Sequence, residues 1–327
     1  MTPELRLAAR RQVLLRLLRV GVLGAGTAGA AVWLRGRSRR PEEPIPLGVR
    51  RDLRVPARQD APDLVVVQGG EPRAAVRRVF ESLGGVDRFI RRGDVVAVKP
   101  NMAWDRTPEQ AANTNPEVVA EVVRLCLEAG AARVLVGDVC TNEPQRVYQR
   151  SGIAAAARAE GAEVILPERR RFRRVDLRGE VLGEWPVFDL VLRADKVINI
   201  PVAKHHSLTG ATLGIKNWYG ILGGQRHRLH QRIHESLADL ASFIRPTLTI
   251  IDAWRVLMRH GPTGGNLADV ELRRTLIAGT DPVALDAWAA RAYWNLDEQR
   301  MRYLRLAAQR GLGTPQFEKL RVAAVTL

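Results

Sequence analysis

The sequence predicts an α/β fold: a mainly parallel, twisted sheet with helices on both faces and a small antiparallel hairpin inserted into it. Three observations carry this expectation. Short runs dominated by Val, Leu and Ile recur along the chain, at Leu64–Val67, Asp94–Val98, Arg133–Val136, Lys196–Ile200 and Thr247–Ile251. Runs of that kind suit strands buried on both faces. Between them apolar residues return every three or four positions, the spacing of a helix packed on a sheet. Helix-starting pairs such as Asn115-Pro116 and Asp281-Pro282, and stops such as Gly130, punctuate the alternation.

Residues 1–40 stand apart. They hold nine arginines and one acid, and Arg10-Arg11-Gln12-Val13-Leu14-Leu15 resembles a twin-arginine export signal, with Ala9 where such signals usually carry Ser or Thr. The apolar run Val20–Leu34 is rich in Gly and Ala and short for a membrane span. Ala28-Gly29-Ala30 offers a cleavage site; the alternative is an uncleaved anchor over Val13–Leu34. Residues 1–40 are therefore expected to be an export signal or membrane anchor. The twin-arginine export machinery would be a partner, and the location extracytoplasmic, periplasmic or cell-surface, secreted or membrane-tethered. Residues 41–62, rich in proline and charge, read as a linker, and 63–327 as the α/β domain.

The net charge of +16 falls to +8 without residues 1–40, 42 basic against 34 acidic residues. That excess favours a small anionic ligand. No nucleic-acid reader motif or basic–aromatic array is present, so nucleic acid is not an expected partner. The two cysteines, Cys126 and Cys140, form no CxxC pair, which excludes zinc-ribbon and iron–sulfur frameworks in this chain. Cys126, inside VVRLCLEAG, fits a small core hydrophobe; a bridge to Cys140 is the alternative.

In order, a strand over Leu64–Val67 precedes a helix at 71–83, and Asp94–Val98 is a strand ending at Lys99-Pro100-Asn101. A helix runs from Asn115-Pro116 to Ala129, and strand Arg133–Val136 ends at Gly137-Asp138. A helix at 146–160 leads to strand Glu163–Leu166. The basic, turn-rich stretch 168–190 breaks the rhythm as a hairpin. Strand Lys196–Ile200, a helix at 235–244 and strand Thr247–Ile251, ending at Asp252, follow. Asp281 caps a helix through Trp294, and a last helix and strand close the chain.

Ligands of such sheets bind beyond the carboxyl ends of the strands. The expected ends deliver Lys99 and Asn101, Asp138, Asn199 followed by Lys204, His205 and His206, and Asp252. Taken singly, Asp138 and Asp252 suit turns or caps equally well. Lysine is scarce: only Lys99, Lys196, Lys204, Lys216 and Lys319 stand among 51 basic residues. A retained lysine points to a need for a compact ammonium, which a planar guanidinium does not imitate. Lys204 would hold an anion, or act as a base if burial lowers its pKa. Adjacent histidines point apart in an extended chain, so one of the two faces the ligand, and His205 is the preferred proton carrier over His206. Gly210, Gly214 and Gly220 surround Thr209, Thr212, Lys216 and Asn217, a composition suited to an anion-binding loop. His227, His230 and His234, spaced i, i+3, i+7, share a face if helical, so a divalent metal is a candidate cofactor there; solvated surface histidines are the plainer reading.

The segments VKPNMAW (98–104), TNPEVV (114–119), AGAARVLVGD (129–138), NIPVAKHHSLTGATLGIKNWYG (199–220), HESLADL (234–240), TLTIIDA (247–253) and AGTDPVALDAWAA (278–290) together resemble the family called domain of unknown function 362, over about 65–310. Twin-arginine signals are common among its members, and some carry appended ferredoxin-type clusters whose cysteines this chain lacks. The resemblance implies no settled activity. Two functional readings follow. In one, an enzyme binds a small anionic substrate through Lys99 and Lys204, moves a proton with His205 or His206, and orients the substrate with Asn101, Asn199 and Asn217. In the other, a carrier or sensor holds an anionic cofactor or metal.

Overall fold

A computed structural model describes residues 50–327; the twin-arginine stretch, the apolar run Val20–Leu34 and the start of the linker lie outside the described residues. Strands β1 (Arg51–Asp52) and β2 (Leu64–Gln68) precede helix α1 (Pro72–Ser82). Then come β3 (Val95–Pro100), α2 (Pro116–Glu128), β4 (Arg133–Val136), α3 (Pro144–Arg150), α4 (Ile153–Ala159) and β5 (Glu163–Val164). The hairpin β6 (Phe172–Asp176) and β7 (Glu184–Phe188) leads to β8 (Lys196–Ile200), β9 (Val202–His206), β10 (Gly210–Thr212) and the single turn α5 (Gly214–Asn217). The chain closes with α6 (Ile233–Phe243), β11 (Ile244–Arg245), β12 (Leu248–Leu257), β13 (Val270–Gly279), α7 (Pro282–Trp294), α8 (Arg302–Gln309) and β14 (Val322–Thr326).

The main sheet has the order β14-β2-β13-β12-β8-β3-β4-β5. Along that path β13 alone runs against its neighbours, so the sheet is mainly parallel, as expected. Alternate residues of the strands are buried on opposite faces: Val65, Val67, Val96, Val98, Val134 and Val136 pack with α1, α2, α3 and α4 in one core. Leu64, Ala97, Leu135 and Val197 are equally buried and face the other way. The β6–β7 pair forms its own two-stranded sheet, the hairpin anticipated at 168–190.

Four details differ from the sequence reading. The helix expected at 146–160 is two helices, because Gly152 adopts φ 74° between them. Strand β12 does not end at Asp252 but runs to Leu257 and returns as β13, so Asp252 lies mid-strand. The loop after Ile200 is a strand pair, β9 with β10. The second half of the linker is docked: β1 pairs with β11, and Ala61 is buried. Both cysteines are free, and burial pushes the Cys126 thiol up to about 12. No helix among the described residues is long and apolar enough to cross a membrane.

Candidate functional site

The site is built where β3, β4 and β8 end. In register, Lys99 of β3 lies beside Asn199 of β8, and β4 runs on through Gly137 to Asp138. Pro201 interrupts the strand after β8; the chain resumes as β9, now paired with β12. On β9 the side chains alternate, so Lys204 and His206 share one face and His205 takes the other. The β10 strand then brings Thr212 opposite Lys204. The turn α5 follows, its first amides donating to the buried Asp286 carboxylate from Gly214 (2.7 Å) and Ile215 (3.0 Å). Tyr303 donates to the same carboxylate at 3.1 Å. Burial raises Asp286 to about 7, and its role is structural, holding the turn that carries Lys216 and Asn217.

Beneath the site lies a closed polar layer. The Lys99 ammonium meets Asp138 at 2.7 Å, both side chains being fully shielded. Burial pulls the Lys99 pKa down, and the Asp138 charge pulls it back in part. Asp138 also accepts from the Met102 amide (2.6 Å) and the Val139 amide (3.0 Å). Asn217 Oδ1 accepts from Lys99 (3.0 Å) and Asn101 (2.9 Å), while its Nδ2 donates to Asn199 Oδ1 at 2.8 Å. Gly220 passes directly over the ion pair: a Cβ there would lie 1.8 Å from Asp138 Oδ1 and 2.5 Å from Lys99 Nζ. Only a glycine allows this approach.

Above this layer is a cavity of about 230 Å³. Its cations are Lys204, Lys216 and Arg226; Asp138 is its one acid, already paired with Lys99. Among the described residues none of the three cations has a carboxylate partner. Lys204 Nζ instead donates to Asn101 Oδ1 (3.1 Å) and the Ala112 carbonyl (2.5 Å). Arg226 donates to the carbonyls of Tyr219 (2.9 Å) and Cys140 (2.7 Å). Lys216 Nζ lies over the Tyr219 ring, 4.6 Å from its centroid. Burial, then the neighbouring positive charges of Arg226 and Lys99, lowers Lys216 to about 7. Burial and the Lys216 charge hold Lys204 well below the usual lysine range.

His206 also lines the cavity. Burial first, then the charges of Lys216 and Lys204, hold its pKa at about 2, so the ring is neutral. Its Nδ1 accepts the Leu208 amide at 3.2 Å, which assigns the ring proton to Nε2 and makes that nitrogen a hydrogen-bond donor. The Thr212 hydroxyl, on the same cavity, is buried without a hydrogen-bond partner among the described residues. A buried hydroxyl left unpaired costs about 1–3 kcal/mol. Its natural complement is an acceptor that enters the cavity.

Several anticipated residues are placed elsewhere. His205 does not line the cavity, because strand alternation turns it away from Lys204; His206 takes the position assigned to it. Lys99 and Asn199 belong to the polar layer below and touch each other's network, not the cavity. Thr209 donates to the Ala211 carbonyl (2.9 Å) and shapes the β9–β10 turn. Asp252 accepts from the Asn115 amide (2.7 Å) and the Trp254 amide (2.9 Å), tying α2 to β12, outside the cavity. Asn101, Asp138, Lys204, Lys216 and Asn217 do line it.

The three histidines do not converge. His227 and His230 lie in a 3₁₀ segment and His234 in the helix after it, so the change of twist breaks their common face. His230 packs edge-on against Tyr219, and His234 stacks on Tyr303. Among the described residues no three His, Cys, Asp or Glu are grouped to hold a metal ion. Arg226 escaped sequence reading because nothing distinguishes one arginine among 46.

Comparison with known proteins follows this geometry. A thylakoid-associated protein of Synechocystis sp. (strain ATCC 27184 / PCC 6803 / Kazusa) is 29% identical over 229 residues, covering 67% of this chain and 69% of that protein. Among solved structures, a Thermotoga maritima protein is similar at TM-score 0.39 and 15% identity, covering 73% of this chain and 60% of that one. The lactate racemase apoprotein of Thermoanaerobacterium thermosaccharolyticum is similar at TM-score 0.35 and 12% identity, covering 60% of this chain and 52% of that one. The chain thus spans less than two thirds of either solved protein. Residues 96–291, more than half of the chain and including the whole polar layer and cavity floor, match the family described as Domain of unknown function (DUF362), and the chain belongs to that family.

Proposed function

We propose that the cavity binds a small anion of the carboxylate or phosphate class and that the protein is an enzyme acting on it. One observation carries this reading: among the described residues three cations, Lys204 and Lys216 buried and Arg226 half-buried, line a small cavity whose one carboxylate, Asp138, is already paired with Lys99. Uncompensated charge in a low-dielectric site is costly, and an entering anion relieves it. Lys204 and Arg226 hold the anion, the Asn101 and Asn217 carboxamides fix its orientation from below, and Thr212 and the His206 Nε2–H donate to its oxygens. A lysine near pKa 7 is suited to move a proton at neutral pH.

Calorimetric titration with oxalate, pyruvate and inorganic phosphate tests the reading. At least one should bind, and Lys204→Met and Arg226→Gln should each weaken it tenfold or more, about 1.4 kcal/mol. No binding by wild type, or equal binding by variants of unchanged melting temperature, would overturn it. Saturable binding with no conversion of any ligand tried would leave a carrier or sensor in place of an enzyme.

We propose further that residues 1–40 direct the domain out of the cytoplasm. The support is Arg10-Arg11 with the apolar run behind it, and a relative named as thylakoid-associated. Replacing both arginines by lysine should hold the protein in the cytoplasm; unchanged export would sink the proposal.

A further inference from the structure

Of the three cavity cations, two are anchored and one is not. Lys204 is committed to Asn101 Oδ1 and the Ala112 carbonyl, and Arg226 to the carbonyls of Tyr219 and Cys140. Lys216 has neither a hydrogen-bond nor an ion-pair partner among the described residues, and only the Tyr219 ring lies beneath its nitrogen. The residue is 8% exposed and lines the same cavity. The division suggests different tasks: fixed cations recognise a charged group, and an uncommitted amine reacts.

We propose that Lys216 forms a Schiff base with the carbonyl carbon of a short 2-oxo acid whose carboxylate is held by Lys204 and Arg226. The proposal rests on the anion-binding reading and adds the substrate class to it. Size agrees: a cavity of about 230 Å³ holds a molecule of a few heavy atoms, since one water takes roughly 30 Å³ of liquid volume. Reactivity agrees as well. A nucleophilic amine must be neutral, and burial beside other cations is a known way of keeping a lysine so; here it brings Lys216 to about 7.

The step balances without a co-reactant. The Lys216 nitrogen lone pair attacks the ketone carbon, forming C–N as the C=O π bond opens onto oxygen. Both amine hydrogens then leave with that oxygen as one molecule of water, and an imine remains. The His206 Nε2–H and the Thr212 hydroxyl stand on the cavity wall as donors to the departing oxygen and keep their own protons. The imine withdraws electrons from the adjacent carbons, so the chemistry it opens is proton removal or carbon–carbon bond change next to the former ketone.

Reductive trapping tests this on the full chain. Protein incubated with pyruvate and sodium borohydride should gain one carboxyethyl group, mapped by peptide mass spectrometry to Lys216. Five lysines make the map short, and Lys196 and Lys319, which lie outside the cavity, serve as internal controls. Excess oxalate should suppress the adduct, Lys216→Met should abolish it at an unchanged melting temperature, and the trapping rate should rise with pH through about 7. An adduct spread over Lys196 and Lys319, or one that persists in Lys216→Met, would overturn the proposal. Pyruvate that binds by calorimetry, competes with oxalate and yet gives no adduct would also overturn it, with anion binding left standing. If neither pyruvate nor oxalate binds, the anion reading fails and this proposal with it.

Discussion

Substituting Gly220 by alanine isolates the buried ion pair in a single methyl group. Gly220 lies in the 3₁₀ turn Trp218–Ile221 and its backbone is ordinary, so alanine meets no conformational strain there. In such a turn alanine would by itself stabilise by roughly 0.5–1 kcal/mol. Instead its Cβ would fall 1.8 Å from Asp138 Oδ1 and 2.5 Å from Lys99 Nζ, well inside any contact distance. The carboxylate must move, and with it go its bonds to Lys99, Met102 and Val139. Breaking a buried pair costs about 3–5 kcal/mol. The net loss is therefore about 3 kcal/mol, or a fall of roughly 6–12 °C in melting temperature for a domain of this size. Gly183→Ala, where nothing lies within 4 Å, is the matched control and should not fall. Urea unfolding of both variants, with Gly220→Ala repeated in an Asp138→Ala background, measures the coupling. A Gly220→Ala protein that melts within a degree or two of wild type would show that Asp138 is not fixed where this reasoning needs it.

The affinity for oxalate should fall as pH rises past about 7, by up to tenfold per unit, because Lys216 loses its charge there while the anion keeps its own; a flat profile between pH 6 and 9 would take Lys216 out of the contact. Thr212→Val should weaken oxalate binding while leaving stability equal or better by about 1 kcal/mol, since it deletes a hydroxyl that has no partner among the described residues. A lower melting temperature at unchanged affinity would reverse that assignment. Asp252→Asn should do the opposite: affinity unchanged, stability lower by about 1–3 kcal/mol, because the amide replaces one of two acceptors of backbone N–H groups. Burial raises Asp252 to about 6, so wild type gives up part of its stability as pH climbs from about 4 to about 6 and the asparagine variant does not. The stability gap between them should narrow over that window, and a widening gap would mean that the Asn115 and Trp254 amides stabilise the carboxylate more than burial penalises it.

The alternation of strands and helices was legible because parallel strands buried on both faces leave nearly unbroken apolar runs, as at Val95–Val98 and Val197–Ile200. The pairing of β9 with β10 was not, because Lys204 and His206 are polar residues buried in a strand, with the half-buried His205 between them, and polarity reads as loop. Lysine scarcity found Lys204 and Lys216, yet it assigned Lys99 to the ligand when Asp138 already answers its charge. That pairing depends on two strand ends far apart in sequence meeting in space, which no local pattern encodes. The choice of His206 over His205 was available in principle: once Lys204 is placed in the cavity, a period of two selects the residue two positions on. Arg226 had no such handle.

The layer under the cavity bears on the entropy of binding. Each rotamer-rich side chain that freezes when a ligand arrives opposes binding by about 0.5–1.5 kcal/mol. Lys99, Asn101, Asn199 and Asn217 are already frozen by one another, with every carboxamide oxygen and the ammonium engaged before anything enters. Their ordering was completed in folding and is not repeated at each encounter. For Asn101 and Asn217, the two that line the cavity, this spares the ligand an opposing term of roughly 1–3 kcal/mol. Lys216, which has no polar partner among the described residues and lies above the Tyr219 ring, still has side-chain freedom to lose.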